Sequence, residues 1–198
     1  MPNIEVADYG TIAQFGTREE FNAKLRLMGQ TLDDVVDYVD EYGVSLLGRC
    51  LSSRKIDFAK ELLAKNAKVN VVSKEGNNEF HLLAANIREE GALDVAWMLL
   101  DRGVSLTAQD KKYKNTALFT LYLEQLKMRT PESMDFIEAC LKKVDKFAFD
   151  IPNKAGITLR GFISENGPER FKTIMEEKEH ETEHEHGWFH CFKKYLGK

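Results

Sequence analysis

The sequence predicts an all-α fold, a solenoid of antiparallel helix pairs joined by hairpin loops. Two observations predict it. Helix-start signals precede apolar residues recurring on one helix face, and from Gly43 onward the same order of a short first helix and an apolar second helix returns, first after 33 residues.

The N-terminal part supplies the first helices. Thr17-Arg18-Glu19-Glu20 sets Glu20 three residues after a hydroxyl cap, the capping-box pattern. A helix over about 18–28 is expected, ended by Gly29 in a left-handed conformation. Thr31 then caps a second helix, with Asp33 and Asp34 in its first turn and Leu32, Val35, Val36 and Val39 on one face. Residues 1–42 thus read as N-terminal capping helices.

The repeating part begins at Gly43-Val44-Ser45-Leu46-Leu47, which opens a short helix to Ser52; Asp57 to Leu63 forms the second helix and Asn66-Ala67-Lys68-Val69-Asn70 ends it. The order returns at Gly76-Asn77-Asn78-Glu79-Phe80-His81-Leu82-Leu83-Ala84, with a second helix over Asp94 to Asp101, closed by Gly103. A third unit runs from Lys114 through the segment Phe136 to Leu141 and on to Phe147, and a shortened fourth from Gly156 through a helix over 169–177. The starts at 43, 76, 114 and 156 are 33, 38 and 42 residues apart. The added residues, near 87–93 and 127–134, are expected between paired helices, with Pro131 marking a loop. Leu62, Leu63, Leu99, Leu100 and Leu141 hold equivalent apolar positions and are expected to be buried, as are Trp97 and Met98.

These segments resemble the ankyrin-repeat family, whose unit reads roughly G-x-T-P-L-H-x-A-A, then an apolar helix ending L-L-x-x-G-A-D-V-N. The resemblance covers residues 43–177. His81, Ala84, Ala85 and the stretch Asn66 to Asn70 follow the pattern, whereas Leu46, Glu79, Ala117 and Leu159 stand where proline is usual and Lys114 where glycine is. The resemblance implies protein binding through hairpin tips and first helices, and a structural role for His81 in tying neighbouring hairpins. By position the binding set comprises Lys74, Glu75, Asn77, Asn86, Lys112, Tyr113, Asn115, Glu124 and Lys154. Stacked units bury a shared core and leave such side chains free to vary. The tip lysines, including Lys111 and Lys114, read either as an ordinary solvated face or as an electropositive strip that steers an acidic partner, with Tyr113 as anchor. A small array without a further domain suits an inhibitor or immunity-type protein that occludes a toxin or enzyme.

Composition limits the alternatives. A net charge of −4 and a pI near 5.8 supply no bulk attraction for phosphate backbones, so nucleic acid is not an expected partner. No apolar run is long enough to span a bilayer and Met1 to Gly10 lacks a secretory pattern, so a cytoplasmic monomer is expected. Cys50, Cys140 and Cys191 are odd in number and widely spaced, which argues against a disulfide framework. No phosphate loop, nucleophile elbow or zinc-protease motif occurs, and no enzyme activity is expected. The segment from Glu176 to His186 is acidic and histidine-rich. His180, His184, His186 and His190 with Cys191 form a candidate set for zinc or another transition metal, the basis of a competing metal-responsive reading. Trp188 to Leu196 is apolar, fitted either to cap the last unit or to meet a partner or membrane surface.

Overall fold

The computed structural model describes residues 2–180. The chain opens with α1 (Tyr9–Phe15), α2 (Arg18–Met28) and a single turn, α3 (Leu32–Val35). Three helix pairs follow: α4 (Leu46–Ser52) with α5 (Ile56–Ala64), α6 (Glu79–Ala84) with α7 (Ala92–Asp101), and α8 (Ala117–Met128) with α9 (Pro131–Lys143). A 3₁₀ turn (Lys146–Asp150), α10 (Leu159–Asn166) and helix α11 over residues 169–180 complete the described part. Among the described residues no strand forms; isolated antiparallel bridges join Val39 to Ser45 and Gln109 to Thr116.

The helices form two rows. First helices stack α1 on α4, α4 on α6 and α6 on α8, while second helices stack α5 on α7 and α7 on α9, each pair also packing on itself. Apolar stripes explain the arrangement, because no helix pair can bury its stripe alone. Leu46, Leu47 and Leu51 of α4, Phe80 and Leu83 of α6, and Leu118 and Leu121 of α8 fill the seams of the first row. Leu62, Leu63, Leu99, Leu100 and Leu141 are buried, as their shared register predicts. Cys50 and Cys140 are buried too, and burial pushes both thiols up, that of Cys50 to about 12.

Polar ties recur along the second row. Arg18 reaches Glu61 at 2.8 Å, and Lys60 reaches Asp94 at 2.8 Å. Arg102 donates to the Leu63 carbonyl and Lys143 to the Leu100 carbonyl, so a basic side chain satisfies the open end of the preceding helix. Arg170 joins α11 to Asp135 (2.7 Å) and Glu138 of α9.

Several expectations need correction. The first pair is α1 with α2, α1 packing on α4 as the later first helices pack on one another. The helix expected from Leu32 to Val39 stops after one turn, because the chain leaves it to make the first hairpin: Leu46 N–H donates to the Tyr38 carbonyl at 2.8 Å. Pro131 marks no loop. It opens α9, where a missing N–H costs no hydrogen bond, behind a Thr130 cap. The added residues of that unit lengthen its helices instead. Trp97 is not core; it stands 36% exposed with its ring edge-on to Phe136 at 5.2 Å, while Val95, Ala96, Leu99 and Leu100 take the inward positions of α7.

Candidate interaction surface

Among the described residues four hairpins project between the helix pairs, each closed by a short polar side chain. Asp40 Oδ1 accepts from the N–H groups of Tyr42 (2.9 Å) and Val44 (3.0 Å), and Ser73 Oγ accepts from Asn77 (3.1 Å). Asp110 accepts from Tyr113 (2.6 Å) and Asn115 (3.0 Å), and Asn153 from Ala155 and Ile157, both at 3.0 Å. Such side chains mimic a backbone turn. Each tip ends on a residue with positive φ: Gly43 (74°), Gly76 (82°), Lys114 (54°) and Gly156 (77°).

Neighbouring tips are stitched through the backbone. The N–H of Lys74 donates to the Tyr42 carbonyl at 2.9 Å, that of Lys111 to Glu75 at 2.8 Å, and that of Lys154 to Tyr113 at 2.8 Å. The acceptor is always the residue just before the positive-φ position. Its donor always follows the turn-closing Ser, Asp or Asn. Lys74, Lys111 and Lys154 are therefore equivalent, with exposed side chains in one row along the tips. Sequence reasoning had placed Lys112 in this row. The third hairpin holds one residue more than the second, and Lys112 is that residue; its ammonium lies 4.8 Å over the Tyr113 ring. Contact with Tyr113 is the main cause holding the Lys112 pKa above its ordinary value.

Beneath the second and third tips lies an open groove of about 410 Å³. Six of the nine expected binding residues line it: Glu75, Asn77, Lys112, Tyr113, Asn115 and Glu124. His81, Asp110, Thr120 and Leu123 complete the lining. Lys74 and Lys154 sit on flanking tips instead. His81 serves both wall and frame: its Nδ1 faces Asn78 Oδ1 at 2.8 Å and its Nε2 faces the Asn115 carbonyl at 3.2 Å, tying α6 to the next hairpin. Burial, its largest influence, lowers the imidazole pKa and favours the neutral ring.

Asn86 does not belong to this surface. Its side chain is buried, donating to the Leu51 carbonyl at 2.8 Å and accepting from Arg54 at 3.3 Å, so it closes the end of α4. A polar residue following a helix looked exposed in sequence; the neighbouring helix end gave it a structural task. Thr120 and Leu123 escaped notice because only the length of α8 carries them under the tips. Glu79 is fully buried and accepts from the N–H groups of Asn70 (3.1 Å) and Val71 (3.0 Å).

Of the candidate metal ligands, His180 is exposed on α11, and His184, His186, His190 and Cys191 lie outside the described residues. Among the described residues no group of three or more potential ligands is clustered, and no helix is long and apolar enough to cross a membrane. No protein-family model matches this sequence, and no curated protein matches it either.

Proposed function

We propose that the chain is an ankyrin-type array that binds a partner protein across its hairpin tips and the adjoining groove, without catalysing a reaction. One observation carries this reading. Six residues selected from sequence as partner-facing line a single groove under two adjacent tips. The same backbone stitch and the same positive-φ position at each tip support the repeat assignment. Repeated units of this kind present a continuous surface whose side chains are not needed by the core. The exposed lysine row, together with half-exposed Tyr113, supplies what steering and anchoring need. An acidic protein surface is the counterpart of the tips, and occlusion of a toxin or enzyme is the mode that such a face suits.

The test is kinetic, with the partner recovered from native cells. Replacing Lys74, Lys111 and Lys154 together by Glu should slow association at low salt and remove most of its salt dependence. Tyr113→Ala should accelerate dissociation instead, since anchor contacts form after docking. Wild-type rates in both variants at low and physiological salt would refute the reading.

A further inference from the structure

The groove differs in charge from the tips above it. Glu75, Asp110 and Glu124 line it against the single ammonium of Lys112, with His81 favouring its neutral form. Asp110 is spent on its own hairpin, where it accepts backbone N–H groups and adds only its field. Glu75 is exposed and has no ion pair within the described residues. Glu124 meets Lys127 at 2.5 Å along α8, an exposed contact of the kind that contributes little and yields readily to a better partner. Tyr113 offers an aromatic face, and one cation, the Lys112 ammonium, already lies against that ring. Leu123 provides the apolar floor for an aliphatic stem.

From this juxtaposition we infer that the groove receives a cationic side chain, arginine foremost, from a partner segment whose flanking carboxylates rest on the tip lysines. The inference rests on the reading of this face as the binding face and specifies the chemistry within it. A planar guanidinium can fork to Glu75 or Glu124 while stacking on Tyr113; a lysine reaches the carboxylates as a point charge only. Carboxylates to either side then meet Lys74, Lys111 and Lys154. Recognition thus requires alternating sign in the partner, and a uniformly acidic segment fits the tips but not the groove.

The experiment uses the full ¹⁵N-labelled chain and small probes, observed by backbone amide shifts. N-acetyl-arginine amide should produce saturable shifts at Asn77, Thr120 and Leu123. N-acetyl-glutamine amide and N-acetyl-glutamate amide should leave those amides in place. A Glu75→Gln, Glu124→Gln double variant should weaken the arginine probe about fivefold to tenfold, the loss expected from two partly exposed charge contacts. A peptide with one arginine between aspartates should bind more tightly than the same peptide with glutamine at its centre. Equal groove shifts from the arginine and glutamine probes, or no saturable groove shift with arginine, would overturn the inference. Comparison of probes on the unmutated chain keeps the result independent of the variant's folding. Loss of the lysine-row effect on partner association, with arginine still bound in the groove, would instead defeat the reading of the tips alone.

Discussion

The hairpin ending at Gly76 and the one ending at Lys114 reach the same geometry by different means. Gly76 has φ 82°, and a Cβ there would lie 2.7 Å from the Gln109 carbonyl oxygen of the following hairpin. Glycine is demanded twice, by conformation and by the close approach of a neighbour. Lys114 holds φ 54° in the equivalent place, its side chain exposed and its carbonyl accepting from Gln109 Nε2 at 2.7 Å. The third unit's tip is longer by one residue, and both of its helices are longer than those of the second unit. Its first helix has 12 residues against 6 in the second unit. Residues 85–91 separate α6 from α7, whereas only 129–130 separate α8 from α9. A repeat can thus absorb added residues into helix length while keeping the stitch between tips, and the longer α8 brings Leu123 and Glu124 beneath them.

The largest effects test whether both units share one core. Leu99→Ala in α7 and Leu141→Ala in α9 should each cost about 2 to 5 kcal/mol in denaturant unfolding, the range for core truncation. Neither side chain is solvent-exposed. A small loss at Leu141 alone would separate the third unit's packing from the second's.

Gly76→Ala should cost about 1 to 3 kcal/mol through its left-handed φ and the Gln109 contact. The reverse change at the matching position, Lys114→Gly, should move stability by less than about 1 kcal/mol, relief of strain being offset by a more flexible unfolded chain. Equal and opposite large shifts would show that the longer hairpin does not accommodate the residue.

Glu79 distinguishes the second unit in another way, since the equivalent position in the third unit is Ala117. Glu79→Ala should cost about 1 to 3 kcal/mol by removing the buried carboxylate that accepts from the Asn70 and Val71 N–H groups. Burial, the dominant influence, raises the Glu79 carboxyl pKa from its ordinary 4.5 despite those N–H donors. The folded chain therefore binds this proton more tightly than the unfolded one. Its contribution is fully present below 4.5 and lost as pH rises through the higher folded value. Urea midpoints between about pH 4 and about pH 7 should show that decline in the wild type and a shallower one in Glu79→Gln. An identical slope in both would remove Glu79 from the explanation.

The smallest expected effect lies at the tips. Exchanging Lys74, Lys111 and Lys154 for Glu should alter unfolding by less than about 0.5 kcal/mol per site, because their exposed side chains leave the backbone stitch untouched. A larger loss would make the lysine row structural.

The parts of the fold legible in sequence were those fixed by local chemistry and repetition. The Thr17 capping box forms as written, and the second-helix leucines are buried where their register put them. The α1 helix was missed because Gly10 interrupts a short apolar stripe of Tyr9, Ile12 and Ala13, although Asp8 caps it through Thr11 N–H at 2.6 Å. Asn86 and Trp97 were misplaced for a shared reason: which polar group finds a neighbouring helix end, and which aromatic ring stays at an edge, depends on the adjacent unit. The tip residues were readable as a set because turn chemistry fixes where they project. Their register was not, since one inserted residue exchanges the roles of Lys111 and Lys112.

The most direct test of the proposed binding face is site-specific photo-crosslinking in native cells. A photoreactive side chain in place of Tyr113 should yield a covalent adduct with the partner, diminished when Lys74, Lys111 and Lys154 are reversed in charge. The same group in place of Lys142, exposed on α9 in the second row, should yield none. An adduct from position 142 with none from position 113 would contradict the account.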